Sequence, residues 1–143
     1  MVAEGPRDPA NMSKRERAEE ILIVIGHLGV AVTDAVSAAV GPDLAGNSEV
    51  IVICSLDLRG PLRPSDIVEA LGMSSGGVTK LLDRLEQRGY ITREFGAVAS
   101  DRRATRLTLT AEGARLAHQY GDALLSEMDT LRDAITSLRA MSD

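Results

Sequence analysis

The sequence predicts a mainly α-helical chain with one small β-hairpin, and three observations point to that fold class. Apolar residues recur at spacings of three and four through most of the chain, the repeat of a helix face. Residues 90–94 and 104–109 depart from it: there β-branched and Arg side chains alternate with apolar ones, as on half-buried strands. Aromatic residues are only 2% (Phe95, Tyr90, Tyr120 and no Trp), so the core is aliphatic, as in helices packed through Leu, Ile, Val and Ala. The chain has 143 residues, enough for one domain, and its 44% hydrophobic content excludes a disordered chain. No apolar run reaches the roughly 18 residues that span a bilayer, so no membrane partner is expected. The N-terminal MVAEGPRDPANMS lacks the apolar segment of a secretory leader and reads as a flexible tail, residues 1–13. A single cysteine, Cys54, excludes an intrachain disulfide, and the expected location is the cytoplasm.

The elements follow in order. Residues 14–40 form a long helix pattern in which Ile21, Leu22, Ile25, Leu28, Val32 and Val36 recur at helical spacing, while Ile23, Val24 and Val30 widen the apolar surface. Such a surface must be covered on most sides, by its own domain and by another subunit. Gly41-Pro42 ends this helix. Asn47 or Ser48 can cap a second helix running through Leu58, with Val50, Ile51, Ile53, Cys54 and Leu58 expected inside; Gly60-Pro61 breaks it. Leu62 is expected to add a small strand to the hairpin. Pro64 opens a third helix, 64–71, and Gly72 sits at the turn. Ser74 caps a fourth helix, 75–88, whose inward face is Val78, Leu81, Leu82 and Leu85, and Gly89 ends it. After the hairpin, Thr110 caps a helix from Ala111. Leu124, Met128, Leu131, Ile135 and Leu138 then repeat at 4, 3, 4, 3, a heptad-like seam.

Two short helices joined by a Gly-marked turn and followed by a hairpin are the order of a winged helix-turn-helix, residues 47–110. That arrangement places its second helix in the major groove of DNA and the hairpin loop beside it. The net charge is −5, but it is unevenly spread: residues 1–59 carry −4, residues 60–106 carry +2 and residues 107–143 carry −3. Phosphate attraction depends on the local field, so the positive third is the relevant one.

The segments Leu62-Arg63-Pro64-Ser65-Asp66-Ile67, Val78 through Glu86, Arg88-Gly89-Tyr90-Ile91, Asp101-Arg102-Arg103 and Leu109-Thr110-Ala111-Glu112-Gly113 together resemble the MarR family of winged-helix transcriptional regulators. The resemblance covers roughly residues 14 to 140 and is specific in 62–113; the flanking helices match in pattern only. It implies one unit, 14–143, in which residues 14–40 and 111–141 are dimerisation helices. It implies a homodimer whose two modules meet a pseudo-palindromic operator in duplex DNA, and a repressor relieved by a small-molecule effector. It implies no enzyme activity and no cofactor. The other reading is a dimeric ligand-sensing or protein-interaction module without direct DNA binding.

The candidate DNA-contacting residues are Ser65, Ser74, Ser75, Gly76, Thr79, Lys80, Arg84, Arg102, Arg103 and Arg106. Hydroxyls bond phosphates or bases, while Lys and Arg pair with phosphates or with guanine O6 and N7. The competing reading is an ordinary solvated face. Family members carry bulkier polar side chains where this chain has Gly76-Gly77, which moves base reading to Thr79, Lys80 and Arg84. Gly76 itself either lets a phosphate approach the helix start or is a weakness tolerated in a first turn. The resemblance assigns Arg103 to the minor groove with Asp101 orienting it; the alternative is a salt-bridged loop. Arg102 and Arg106 are then phosphate contacts. Cys54, set among Val50–Ile53 with only Arg59 as a basic neighbour, reads as core packing rather than a redox sensor. His27 and His118, the latter one turn from Asp122, are too sparse to indicate a metal site. No nucleophile–base constellation or phosphate loop is present.

Overall fold

The structure is a computed structural model and describes residues 8–96 and 105–142. Helix α1 spans Lys14–Val40, the expected bounds, and starts in a reciprocal cap. Ser13 Oγ accepts the Glu16 N–H at 3.2 Å, and the Glu16 carboxylate accepts the Ser13 N–H at 2.8 Å. Ahead of it, part of the expected tail forms a 3-10 turn, Pro9–Asn11, capped by Asp8. By length and composition α1 is apolar enough to cross a membrane, which corrects the expectation that no segment reaches that measure. His27 and Asp34 interrupt the apolar run without undoing its apolar average. Here α1 packs along α5 (Ala111–Ser126) and α6 (Met128–Ser142). A second 3-10 turn, Pro42–Leu44, then leads into α2, Asn47–Arg59.

Helix α2 departs from expectation in cap and in face. Its N-cap is Gly46, and neither Asn47 nor Ser48 caps it with a side chain. Its buried face is Glu49, Val52, Ile53 and Leu56, while Ile51 is exposed and Leu58, expected inside, is 83% exposed. Val50 through Cys54 is apolar all round the helix, so the sequence leaves its rotation open; packing on α5 and the hairpin decides it.

The module itself follows closely. Helix α3 spans Pro64–Leu71 and α4 spans Ser75–Gln87, with Arg88 as the C-cap. Strands β1, Ile91–Phe95, and β2, Thr105–Leu109, pair antiparallel with Ile91 opposite Leu109 and Arg93 opposite Leu107. Tyr90 stays outside β1 because its N–H bonds back to the Leu85 carbonyl at 3.0 Å, completing the turn at Gly89. Leu62 adds the expected third edge: its N–H and C=O both pair with Leu107, at 3.2 and 2.7 Å. Ile53, Ile67, Leu82, Leu85, Ile91 and Leu107 are fully buried in one cluster that ties α2, α3, α4 and the hairpin together. Each such side chain contributes about 1.5–3 kcal/mol. The C-terminal stretch is two helices, broken at Glu127, whose N–H turns to the Leu124 carbonyl at 2.9 Å.

Candidate nucleic-acid interface

The turn between α3 and α4 is made by Gly72, left-handed at φ 62°, whose N–H reaches the Val68 carbonyl at 3.0 Å. Ser74 then caps α4, its Oγ accepting the Gly77 N–H at 3.1 Å. A Cβ on Gly77 would lie 3.1 Å from Met73 Cε and 3.3 Å from the cap oxygen, so the close turn accounts for this glycine. Gly76 has no such neighbour within 4 Å, and its backbone is open to an incoming group.

These caps present the N-terminal half of α4 outward. Ser65, Ser74, Ser75, Gly76, Thr79 and Lys80 are all exposed. Ser65, Ser75 and Thr79 meet in a shallow cleft of about 290 Å³, lined also by Pro64, Val68 and Val78. Thr79 Oγ1 donates to the Ser75 carbonyl at 2.9 Å, which fixes its rotamer and leaves the oxygen's acceptor side and the methyl facing out.

Two arginines of the outward face have partners that the sequence does not show. Arg84 is ion-paired with Glu49, a carboxylate only 8% exposed on α2. A Cβ on Gly46 would collide with that carboxylate, so the glycine cap gives Glu49 its room. Arg84 therefore ties α4 to α2 while its side chain stays half-exposed beside the outward Thr79 and Lys80. Arg106 is exposed on β2, opposite Glu94. Asp101, Arg102 and Arg103 lie outside the described residues.

Sequence reasoning missed Arg93, Glu49 and Arg88. Arg93 bonds Asp83 at 2.8 Å and Glu86 at 3.1 Å on α4. Arg88 reaches Asp43 at 3.5 Å. For Glu49 the available signal was a carboxylate beside an apolar run, and for Arg93 a charge on the inward alternation of β1.

A second concavity of about 310 Å³ lies between α2 and α5, lined by Cys54, Asp57, Leu58, Ala117, His118 and Leu125 among others. Cys54 is half-buried and packs against the core; burial first, and Asp57 second, push its thiol up from the ordinary range. His118 Nε2 is 3.9 Å from Asp57, and His27 lies on α1. Among the described residues no three His, Cys, Asp or Glu side chains converge to hold a metal ion.

Comparison with known proteins adds the relationship. A family model described as the MarR family matches residues 47–104. The transcriptional repressor MdtR of Bacillus subtilis is 38% identical over 66 residues, 46% of this chain and 41% of MdtR. The multiple antibiotic resistance protein MarR of Salmonella typhimurium is 32% identical over 68 residues, 48% of this chain and 46% of that protein. These matches span about half the length of the curated relatives or less. Among solved structures, RV1404 from Mycobacterium tuberculosis superposes with a TM-score of 0.70 at 16% identity, over 86% of this chain and 81% of that one. A mutant MarR from E. coli, solved in complex with operator DNA, superposes at 0.65 with 21% identity, over 85% of this chain and 81% of that one. At these identities the superpositions establish the shared fold alone, that of a winged helix-turn-helix. Over residues 47–104 the chain is similar to the MarR family.

Proposed function

We propose that this chain is a homodimeric, sequence-specific duplex-DNA-binding transcriptional regulator, a cytoplasmic repressor released by a small-molecule effector. The observation that carries the reading is the outward face at the start of α4. Four helix-start residues, Ser74, Ser75, Gly76 and Thr79, stand exposed beside Lys80 on a helix whose opposite face is fully buried. This is the part of a recognition helix that meets base edges, and free N–H groups there favour phosphate. The E. coli neighbour solved with operator DNA has the same fold. Dimerisation is supported by Leu22, Ile23, Ile25 and Val30 of α1, all exposed in the single chain. The α2–α5 concavity, of the size of small ligand pockets, supports an effector.

Each proposed contact has its own binding signature. Changes at Thr79 or Lys80 alter which bases are preferred, at about 1–3 kcal/mol per true base contact. Arg103→Ala blunts a preference for A·T flanks, because a narrow minor groove attracts that side chain. Arg102→Ala weakens all duplexes alike and lowers the salt slope by about one. Titrations of these variants against an operator and a scrambled duplex, at several salt concentrations, read the three apart. Variants that bind both duplexes as the wild type does would leave the protein-interaction reading in place.

A further inference from the structure

Arg93 occupies a position where the hairpin pattern calls for an apolar side chain. It lies on the same face of β1 as buried Ile91 and is paired in register with buried Leu107. Its side chain is 16% exposed, and one guanidinium nitrogen serves two carboxylates, Asp83 at 2.8 Å and Glu86 at 3.1 Å. Those acids are three residues apart, on one flank of α4, about one and two turns beyond Thr79. From Arg93 the chain runs on through Gly96 toward the loop that bears Arg102 and Arg103. The two N–H bonds of that nitrogen are fixed in the guanidinium plane, so two acceptors set direction as well as distance, which a lysine's freely rotating ammonium does not.

Resting on the DNA-binding reading above, we infer that Arg93 is a positioning residue that sets the wing against α4. Major-groove reading by the helix and minor-groove reading by the wing loop then keep one fixed spacing. The rival role is charge alone: Arg93 offsets part of the negative charge of Asp83 and Glu86 beside the proposed DNA face. The test separates these roles.

The variants are Arg93→Met, Arg93→Lys and the triple Arg93→Met/Asp83→Asn/Glu86→Gln, in the full chain, on a duplex enriched by the wild type from a random pool. Dimethyl sulfate reads guanine N7 in the major groove, and hydroxyl radicals read the sugars along the flanking minor groove. Arg93→Met should keep the N7 protection at saturating protein and lose the flanking sugar protection, with affinity down about tenfold, the scale of one groove contact. The triple variant should behave as Arg93→Met does, because the guanidinium tie between β1 and α4 is still missing. Arg93→Lys should recover affinity only in part and leave the flanks weakly protected. Recovery of both protections in the triple variant would show that Arg93 only balances charge. Loss of both in parallel, or of neither, would equally overturn the inference. Should Arg93→Met fail to melt cooperatively, the same two protections in Arg93→Lys decide: weakened flanks with an intact centre support positioning, and any other pattern refutes it. A wild type that protects no duplex overturns the DNA-binding reading itself.

Discussion

Thr110 joins three parts of the chain through one short side chain. Its Oγ1 donates to the Gly89 carbonyl at 2.6 Å and accepts the Gly113 N–H at 3.0 Å, while its own N–H bonds the Tyr90 carbonyl at 3.1 Å. The end of α4, the start of the wing and the start of α5 are locked together there. Gly113 closes the joint: a Cβ would collide with the Tyr90 carbonyl and come within 2.9 Å of Leu109 Cδ2. Gly113→Ala should therefore lower stability by about 1–3 kcal/mol, despite Ala's better helix propensity, as read by urea denaturation. Tyr120, buried on α5, donates to the Leu44 carbonyl at 2.6 Å. Burial above all, with Glu49 next, pushes its hydroxyl well above the ordinary phenol range. A folded-state pKa raised in this way stabilises fully below about pH 10 and is lost as pH climbs further. Tyr120→Phe should lose about 1–2 kcal/mol at neutral pH and flatten the alkaline fall in stability, measured by denaturation at stepped pH. Cys54, with its thiol pushed up, has little thiolate at neutral pH. Operator binding should resist peroxide equally in wild type and Cys54→Ala; release of wild type alone would make Cys54 a sensor. Local chemistry such as the Ser74 and Thr110 caps was readable directly, because a hydroxyl before an apolar run has one efficient use. The Glu49–Arg84 and Arg93 pairs were not, because each joins residues that only the tertiary fold brings together.

At the scale of elements, legibility tracked how strongly each pattern fixes rotation. Helices α3 and α4 have one apolar stripe and a marked turn, and both start where the sequence placed them. Helix α2 is apolar all round between Val50 and Cys54, and its face was placed only in part: Ile53 is buried and Val50 and Cys54 pack against the core, while Ile51 and Leu58 are exposed. The bound of β1 moved by one residue because the helix-ending turn claims the Tyr90 N–H. The C-terminal seam is real as a spacing but crosses a helix break at Glu127. Leu124, Met128 and Ile135 of that seam are exposed in the single chain, and Leu131 is half-buried. Leu131→Glu places a charge in this strip. In sedimentation at micromolar concentration it should shift the proposed dimer to a monomer near 15.2 kDa, with the helical signal kept. A wild type already monomeric at that concentration would remove the dimer reading.

Across the whole molecule, charge and apolar surface are segregated in a way that fits two jobs. The positive stretch 60–106 contains the outward start of α4, while the acidic flanks hold the long helices whose apolar surface is left uncovered in one chain. A homodimer built on α1, α5 and α6 would cover that surface and present two recognition helices together. Two modules related by two-fold symmetry meet half-sites about one helical turn apart, or a multiple of it, so symmetry of the DNA site mirrors symmetry of the protein. The most direct test is selection of bound duplexes from a random pool by the wild-type chain, followed by sizing of the complex on the enriched sequence. The account predicts enrichment of a pseudo-palindrome with half-sites about 10 base pairs apart, bound by two chains per duplex. Recovery of no enriched sequence, or of an asymmetric site bound by one chain, would contradict it.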